Sequence, residues 1–386
     1  MSYQKISKYK KILSELFKQT TFSNNSSNNV FKLFRNKNII LYGAGSGFIT
    51  FSVFVLIKYG FKCSLVLDQK FKRDDSFRGV SAVSPLEYKP TKEEKNSSIV
   101  VITVGKKKYF KEIFRTLSNL GFKHIILATD IYEYHLHNSS KELENKGFDY
   151  FLQNKKKIIR CFDMLADDLS REVYVKFIQT HMQRKPIPIP HRPLDEQYFP
   201  KDLKLTKKNY SRFINCGAYH GETIIQCNKL FGKLDSIACF EPDLNNFELL
   251  SQIMLNHNKI AQSIVLFPCG VFNHETQLHF LSGNETNSKI TDKGDSIVQC
   301  VALDHVIPNF KPTFISMDIE GAELEALKGA KCLINKNGPD LAISVYHTPS
   351  HLWDIPLYID GLKLGYKFYL RNYSSFISET ICYAML

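Results

Sequence analysis

The last half of the sequence alternates short apolar segments with longer polar ones, and this alternation constrains the fold more than any other feature. Five apolar segments are separated by crossover-length stretches, and two further ones are joined by a short connection. Strands linked by helices form parallel sheets, whereas a short link produces an antiparallel hairpin. The sequence therefore predicts an α/β domain with a seven-stranded sheet that ends in a hairpin.

The predicted strands lie at 212–216, 236–240, 264–268, 313–317, 341–346, 367–371 and 380–384, and the predicted helices at 221–231, 243–256, 321–335 and 352–364. An additional pair of strands, 276–281 and 296–302, is expected as an insertion between the third and fourth strands of this domain.

A smaller α/β pattern precedes this domain. An apolar strand runs into Gly43-Ala44-Gly45-Ser46-Gly47, and the next strand ends at Asp68. The turn resembles a dinucleotide-binding fingerprint whose third glycine comes one position early. Together with Phe77-Arg78-Gly79-Val80, the pattern resembles the small Rossmann-like domains of several sugar-modifying enzymes. It is compatible with nucleotide binding and equally with a scaffold. The predicted strands are 38–42, 63–67, 98–104 and 124–128, with a helix at 48–59.

The 386 residues suit two domains. The chain begins with apolar residues at helical spacing, which an Asn- and Ser-rich stretch follows. Between the two α/β patterns lies a charged helical pattern that ends in a proline-rich segment. We therefore divide the chain into an amphipathic helix and linker at 1–30, a Rossmann-like α/β domain at 31–135, a helical connector at 136–199 and the larger α/β domain at 200–386.

Composition narrows the class of protein further. The net charge of +13 could attract nucleic acid, anionic lipid or phosphorylated carriers, although a solvated lysine-rich surface explains it equally well. No apolar run reaches the roughly 18 residues of a membrane span, and no secretory signal is recognisable at the N-terminus. The nine cysteines form no Cys-x-x-Cys pair. These features predict reduced thiols, no zinc site and a cytoplasmic location.

Two neighbouring motifs in the larger domain predict a nucleoside-binding edge. Ile214-Asn215-Cys216-Gly217-Ala218-Tyr219-His220-Gly221-Glu222-Thr223 carries a strand into a glycine-containing turn that opens a helix. Glycine lets the backbone approach a ligand closely, and the free N–H groups of the helix start can bind it. Glu241 follows the next strand, 24 residues after Gly217. In doubly wound folds a carboxylate at this position accepts hydrogen bonds from ribose hydroxyls, whether of NAD or of S-adenosylmethionine.

Two further motifs place ionisable side chains at the same edge of the predicted sheet. The fourth strand runs into Asp318, Glu320 and Glu323, and the fifth strand runs into His347. Ligands of open α/β sheets lie beyond the carboxyl ends of the strands. A neutral imidazole is a suitable general base for a hydroxyl, and Asp318 is the alternative. Glu320 is expected to orient the substrate, and Glu323 to begin a helix.

These motifs resemble the FkbM family of methyltransferases, over about residues 195–386. The resemblance rests on Asp195-Glu196-Gln197-Tyr198-Phe199-Pro200, Asn215-Cys216-Gly217-Ala218-Tyr219, Phe240-Glu241-Pro242, Pro268-Cys269-Gly270-Val271, Met317-Asp318-Ile319-Glu320-Gly321-Ala322-Glu323, Leu327-Lys328-Gly329-Ala330, Tyr346-His347, Leu352-Trp353-Asp354-Ile355-Pro356-Leu357-Tyr358 and Tyr369-Leu370-Arg371. It implies a class I methyltransferase fold, S-adenosylmethionine as cofactor, and O-methylation of a sugar hydroxyl in polysaccharide or glycolipid biosynthesis.

The resemblance also implies site residues. The expected cofactor-binding residues are Asn215, Gly217, Ala218, Tyr219, Gly221, Thr223, Glu241, Pro242, Gly270 and Asp318, and the expected catalytic residues are His347, Asp318 and Glu320. Asn215 departs from the family, which usually has aspartate there; its side-chain oxygen can still accept from the cofactor ammonium, but it brings no charge. A metal is not part of the prediction, although Asp318 and Glu320 are suitable ligands for a divalent cation.

Other classes of function remain open from the sequence alone. A nucleic-acid methyltransferase suits the positive charge, but base-amino methylation commonly requires Asn-Pro-Pro-aromatic where this chain has Asp318-Ile319-Glu320-Gly321. The substitution at Asn215 leaves room for a catalytically silent module that binds a glycan or nucleotide. A nicotinamide-dependent oxidoreductase would need a hydride-transfer set beside the first domain, and none is recognisable. The favoured partner is a sugar or glycan-type acceptor, with no nucleic acid and at most peripheral membrane association.

Overall fold

The computed structural model describes residues 2–18, 34–57, 60–104, 109–128, 131, 149–183, 187–203, 210–281, 289–290, 296–374 and 377–386. The elements of its first part are α1 (Ser2–Leu16), β1 (Asn38–Tyr42), α2 (Ser46–Phe51, continued by a π-helical turn at Ser52–Ile57), β2 (Cys63–Leu67), β3 (Asp75–Phe77), β4 (Val80–Val83), α3 (Lys92–Ser97), β5 (Ser98–Ile102), α4 (Phe110–Leu120) and β6 (Ile125–Leu127).

These first strands form one six-stranded sheet in the order β3-β4-β2-β1-β5-β6. All neighbours are parallel except β3, which pairs with β4 in an antiparallel hairpin. The hairpin was not predicted because its strands have only three and four residues. Its two-residue turn has positive φ at both Arg78 and Gly79, the conformation that matches the twist of paired strands. The Rossmann-like fold of this part is confirmed.

The second part contains α5 (Lys155–Met164), α6 (Asp168–Gln183), β7 (Arg212–Cys216), α7 (Glu222–Phe231), β8 (Leu234–Phe240), α8 (Leu244–Asn256), β9 (Ala261–Phe267), β10 (Gly270–Val271), β11 (Thr276–Leu281), β12 (Lys289–Ile290), β13 (Ser296–Val301), α9 (Leu303–Val306), β14 (Phe314–Met317), α10 (Glu323–Lys328), α11 (Lys331–Asn337), β15 (Asp340–Ser344), α12 (His351–Gly361), β16 (Lys367–Asn372) and β17 (Thr380–Met385).

The large sheet of this part has seven strands in the order β16-β17-β15-β14-β7-β8-β9. Its first five strands along the chain are parallel, and β17 runs antiparallel to both β15 and β16. Numbered by appearance within the sheet, the order is 3-2-1-4-5-7-6. The predicted seven-stranded α/β sheet with its terminal antiparallel hairpin is confirmed.

The predicted insertion between the third and fourth strands is also present. Strands β11 and β13 pair antiparallel, and the short strands β10 and β12 extend them to a four-stranded sheet. The predicted helix at 321–335 is instead two helices. The backbone N–H groups of Cys332 and Leu333 donate to the carboxylate of Asp304, which caps the N-terminus of a separate helix, α11. The N–H of Asp304 in turn donates to the Gly329 carbonyl. This long-range cap has no local sequence signal.

The helical connector packs directly on the large sheet. Its residue Leu165 bridges to Phe368 of β16, and Arg371 of the same strand donates to the carboxylate of Asp167. Fully buried side chains such as Phe162 and Phe177 join one apolar cluster with the sheet and α12. Burial of each such ring stabilises the fold by about 1.5–3 kcal/mol. The connector therefore covers one face of the sheet that carries the site.

The first helix packs on the same layer. The Tyr9 hydroxyl donates to Glu172 of α6 at 2.7 Å, and Lys10 pairs with Asp163 of α5 at 2.7 Å. Leu13 and Leu16 are buried in the cluster of α5 and α6. The amphipathic face of α1 is thus covered by the protein itself. Within the described part of the chain, no helix has both the length and the apolar character needed to cross a bilayer.

Candidate active site

The carboxyl ends of the central strands of the large sheet come together at one edge. After β7 the chain turns at Gly217, whose φ is +76° and whose N–H donates to the Phe240 carbonyl at the end of β8 at 2.9 Å. A side chain at this position would place its Cβ 2.0 Å from the carbonyl oxygen of Asp318 at the end of β14. The three strand ends are therefore held so closely that only glycine fits between them.

Replacing Gly217 with Ala is expected to destabilise the protein by about 3 kcal/mol, because left-handed backbone strain adds to an overpacked contact with main chain. For a domain of this size that corresponds to a fall in melting temperature of roughly 6–12 °C, measured by thermal unfolding. The matched control is Gly361→Ala in α12, where no atom lies within 4 Å of the new Cβ. That variant is expected to be neutral or slightly stabilising, and equal effects of the two changes would contradict the argument.

Glu241 holds the glycine-containing turn from the end of β8. One carboxylate oxygen accepts from the N–H of Tyr219 at 2.8 Å, and the other accepts from the N–H of Asp243 at 3.0 Å. The side chain is buried. Burial raises the pKa of this carboxyl to about 7, although its two N–H donors favour the charged form. Glu241 therefore lies where the sequence predicted a ribose-binding carboxylate, with a pKa in the physiological range.

Asn215 is the second-last residue of β7 and is buried. Its side-chain oxygen accepts from the Ser316 hydroxyl of the neighbouring strand at 3.0 Å, and its amide nitrogen has no hydrogen-bond partner among the described residues. A buried donor without an acceptor costs about 1–3 kcal/mol. The oxygen that the sequence analysis assigned to the cofactor ammonium thus accepts from Ser316, while the amide N–H suits an acceptor such as a carboxylate. The predicted cofactor contact of Asn215 stays a prediction.

Asp318, at the end of β14, is surrounded by hydroxyl and imidazole groups. The Tyr198 hydroxyl donates to one carboxylate oxygen at 2.9 Å, and the Tyr346 hydroxyl donates to the other at 3.4 Å. That second oxygen also lies 3.5 Å from Nε2 of His347. The aspartate side chain stays 19% exposed. It is thus held in one orientation by three side chains while remaining accessible from outside.

His347, after β15, lies between three carboxylates. Its Nδ1 is 2.8 Å from the fully buried carboxylate of Glu323, and its Nε2 is 3.4 Å from Glu320 and 3.5 Å from Asp318. Backbone N–H groups of Ile319 and Gly321 also donate to Glu323. This arrangement fixes the ring with Nδ1 facing inward and Nε2 facing the edge of the sheet.

The charge of this cluster follows from its geometry. Burial by itself would lower the pKa of His347, but the negative charges of Glu323, Glu320 and Asp318 outweigh it and hold the pKa well above its ordinary value. For Glu323, burial would raise the pKa, but His347 and His351 outweigh it and lower the pKa far below its ordinary value. The raised pKa favours the imidazolium form at neutral pH and so favours Asp318 over His347 as the base. The catalytic role predicted for His347 stays a prediction.

The remaining predicted site residues lie around the same edge with one exception. Ala218 is buried in the turn, and its N–H donates to the Phe240 carbonyl. Gly221 precedes α7, Thr223 lies in its first turn, and Pro242 follows Glu241 before α8. Gly270 belongs to β10 of the small sheet, where a Cβ would lie 2.9 Å from Sγ of Cys300. The close packing against Cys300 explains why a glycine is needed at position 270. The predicted contact of Gly270 with the cofactor stays a prediction.

A metal ion would find its ligands in this cluster. Single donor atoms of Asp318, Glu323 and His347 lie within 4.8 Å of one another. Nδ1 of His347 is already hydrogen-bonded to Glu323. A metal would therefore have to bind to Nε2 of His347 and to Asp318, or break the hydrogen bond between His347 and Glu323. The Glu323 contact is the kind that orients a histidine in metal sites and in proton-transfer sites alike.

Three side chains of the cluster had no role in the sequence analysis. Tyr198 and Tyr346 contact Asp318, and His351 contacts Glu323. Tyr198 and Tyr346 belong to motifs that the chain shares with the FkbM family, and this was the sequence feature that could have indicated a role for them. His351 Nδ1 lies 3.2 Å from Glu323, and no local pattern indicates it.

The fold is that of class I methyltransferases, with the strand order 3-2-1-4-5-7-6 and the glycine turn and acidic residue at the ends of its first two strands. The family model described as the methyltransferase FkbM domain matches residues 215–368. This part of the chain is therefore similar to the methyltransferase FkbM domain, and the match supports methyltransferase activity.

One solved structure supports the fold. The crystal structure of a methyltransferase FkbM from Methylobacillus flagellatus KT is similar with a TM-score of 0.60 and 21% sequence identity, over 98% of this chain and 98% of that chain. At this identity the likeness shows the shared fold alone. Aeropyrum pernix fibrillarin, solved with natively bound S-adenosyl-L-methionine, has a TM-score of 0.30 and 11% identity over 50% of this chain and 74% of that one. No curated protein matches the chain significantly.

Proposed function

We propose that the C-terminal domain is an S-adenosylmethionine-dependent O-methyltransferase that acts on a hydroxyl of a sugar, a glycan or a glycolipid precursor. The observation that carries the proposal is the pairing of two groups at one edge of the sheet. One is the buried Glu241 that holds the glycine turn. The other is the partly exposed Asp318 with the charged His347 behind it. The first suits a ribose, and the second suits an acceptor hydroxyl.

The residues present fit this cofactor. Glu241 would accept hydrogen bonds from the ribose hydroxyls, as the equivalent carboxylate does in doubly wound folds. The turn at Gly217–Gly221 would place its backbone beside the methionine part, with the N–H groups of Gly217, Ala218 and Tyr219 already used to hold the turn on the end of β8. The unpartnered amide nitrogen of Asn215 would donate to the methionine carboxylate, so the residue that replaces the family aspartate acts here as a hydrogen-bond donor.

Catalysis would then rest on positioning and on removal of one proton. When bound, the cofactor would supply an electrophilic methyl group, which would pass to the acceptor oxygen as the C–S bond of the cofactor breaks. Asp318 would accept a hydrogen bond from the acceptor hydroxyl and take up its proton. Asp318 is preferred over His347 as the base because the imidazolium has no free lone pair. Tyr198 and Tyr346 hold the carboxylate in place.

His347 contributes as a positioning residue in this proposal. Its positive charge lies 3.4–3.5 Å from Glu320 and Asp318 and attracts both carboxylates to the mouth of the site. Glu320 has a positive φ of 56°, an uncommon conformation for a non-glycine residue that is frequent at functional sites. Glu320 would orient the acceptor by accepting from a second hydroxyl, for which vicinal sugar hydroxyls are suited.

The affinity for S-adenosylmethionine is expected to fall by about tenfold for each pH unit below 7, or about 30-fold between pH 8 and pH 5.5. The reason is that the raised pKa of Glu241, about 7, lets it take up a proton in this range and lose its acceptor capacity. The measurement is a series of calorimetric titrations at fixed ionic strength. Glu241→Gln is expected to bind weakly with no such trend, and a wild-type affinity that does not change over this range would contradict the role of Glu241.

The acceptor class separates this proposal from a nucleic-acid methyltransferase. The test uses S-adenosylmethionine labelled with ¹³C in the methyl group, a panel of oligosaccharides and glycolipids, and single-stranded and duplex RNA. Transfer to a sugar hydroxyl produces an O-methyl resonance in the oligosaccharide fraction. An N-methyl resonance in the RNA fraction would contradict the proposal and favour the alternative that the net charge of +13 suits. The proposal includes a cytoplasmic location, which nine cysteines without a disulfide support.

A further inference from the structure

The N-terminal sheet repeats the local construction that surrounds Glu241. Gly43, after β1, donates its N–H to the carbonyl of Leu67 at the end of β2 at 2.8 Å, as Gly217 does to Phe240 at 2.9 Å. Both turns follow the central strand of a parallel sheet and lie at its carboxyl edge. That edge is where doubly wound folds bind their ligands.

The carboxylates that follow the second strands make the same two contacts. Asp68 accepts from the N–H of Ala44 in the glycine turn at 2.8 Å and, with its other oxygen, from the N–H two residues later, of Lys70, at 3.1 Å. Glu241 accepts from the turn and from the N–H two residues later at 2.8 and 3.0 Å. In both side chains one carboxylate oxygen accepts from the glycine turn and the other accepts from the N–H two residues later. Asp68 therefore stands where the larger domain has its proposed ribose-binding group.

The close approach of backbone is repeated as well. A Cβ on Gly47 would lie 1.9 Å from the carbonyl oxygen of Thr103, which follows β5. In the larger domain the close approach is made by the first glycine of the turn, since a Cβ on Gly217 would lie 2.0 Å from the carbonyl oxygen of Asp318, after β14. In both domains a glycine of this segment thus lies directly against the end of the neighbouring strand. A turn kept only for packing would not need the paired carboxylate contacts in addition.

The two sites differ in charge. Two residues after the carboxylate the larger domain has Asp243, whereas the smaller has Lys70, whose ammonium donates to the Ala44 carbonyl at 3.1 Å. The same ammonium lies 5.1 Å and 4.9 Å from the ring centres of Phe71 and Phe77, which help to hold it beside the turn. A fixed positive charge next to a glycine turn favours an anionic ligand over a zwitterionic one.

The groups that would transfer a methyl group are not repeated. The strand end that carries Asp318 in the larger domain carries Thr103 in the smaller one, and the Thr103 hydroxyl donates to the carbonyls of Tyr42 and Gly43. The hydroxyl is thus used within the turn itself. The N-terminal domain has the binding construction without the reactive cluster.

We propose that the N-terminal domain binds a nucleoside diphosphate, with Asp68 on the ribose and the glycine turn with Lys70 on the diphosphate. This chemistry is that of a nucleotide-activated sugar, which would bring an activated glycan unit to the same chain as the methyltransferase domain. The inference rests on the first domain alone and does not require the proposed function of the second.

The test is a calorimetric titration of the full-length protein with UDP and ADP, with pyrophosphate and S-adenosylmethionine as comparison ligands. We expect one site for at least one nucleoside diphosphate, weakened at least tenfold by Lys70→Ala. The matched control Lys72→Ala removes a neighbouring exposed lysine and should leave the affinity unchanged. Glu241→Gln should also leave it unchanged, because it alters only the other site.

Four results would overturn the proposal. The first is that neither UDP nor ADP binds at millimolar concentration, and the second is that Lys70→Ala does not weaken nucleotide binding. The third is that Glu241→Gln abolishes nucleotide binding, and the fourth is that pyrophosphate binds as tightly as the nucleotides. The outcome is independent of the methyltransferase proposal, since Lys70→Ala should not change the affinity for S-adenosylmethionine in the same titrations.

Discussion

Replacing Asp318 with Asn is expected to lower kcat for methyl transfer by a factor of about 10² to 10⁴, the usual contribution of a positioned acid–base group. The affinity for S-adenosylmethionine should stay within a few fold. Asn has the same shape and can still accept from the Tyr198 hydroxyl, which donates to Asp318 at 2.9 Å. It cannot take a proton from the acceptor hydroxyl. The change should therefore appear in kcat and not in cofactor binding.

The measurement is a steady-state assay of S-adenosylhomocysteine formation with the acceptor identified by ¹³C transfer. The matched control is Glu222→Gln, which removes an acidic group at the start of α7 that is 58% exposed. That variant should retain full activity. A kcat for Asp318→Asn equal to that of wild type would show that another group takes the proton, and the assignment of Asp318 as the base would be wrong.

Replacing Glu323 with Gln is expected to destabilise the protein by about 3–5 kcal/mol, because it leaves the buried His347 charge without its nearest counterion. Glu323 is fully buried, 2.8 Å from Nδ1 of His347, and it also accepts from two backbone N–H groups. The control is Glu325→Gln on the same helix, whose partner Lys328 is exposed, and its cost should stay below about 1 kcal/mol. Equal unfolding free energies for the two variants would contradict this account of the cluster.

The pH dependence of this effect has a defined sign. The lowered pKa of Glu323 means that its stabilisation is fully present above its ordinary value of 4.5 and is lost as pH falls through the much lower folded value. The raised pKa of His347 means that its stabilisation is fully present below 6.5 and is lost as pH rises through the higher folded value. The cost of Glu323→Gln should therefore be largest between about pH 4.5 and 6.5 and shrink at alkaline pH.

The α/β class of both sheets and the terminal hairpin of the large one could be predicted because they follow from local patterns. Apolar strands separated by crossover segments indicate parallel pairing, and the short link between β16 and β17 indicates the hairpin. The glycine turns and the carboxylates after the second strands also follow from position along the chain. Gly217 and Glu241 accordingly lie where the sequence predicts them.

The properties of the reactive cluster depend on contacts between distant residues and could not be predicted. The Tyr198 hydroxyl that orients Asp318 comes from a segment 120 residues earlier. The raised pKa of His347 depends on three carboxylates that the fold places around one ring, and no local pattern shows them together. The restart of α11 depends in the same way on Asp304, about 28 residues before the helix N–H groups that it caps.

The most direct test of the central claim is a calorimetric titration of the full-length protein with S-adenosylmethionine at pH 8. The account predicts one binding site of micromolar affinity, lost in Glu241→Ala and retained in Glu248→Ala, which removes an exposed carboxylate from the following helix. Binding that Glu241→Ala leaves intact would place the cofactor elsewhere. No binding to the wild-type protein would contradict S-adenosylmethionine dependence and would favour a domain that has kept the methyltransferase fold for another purpose.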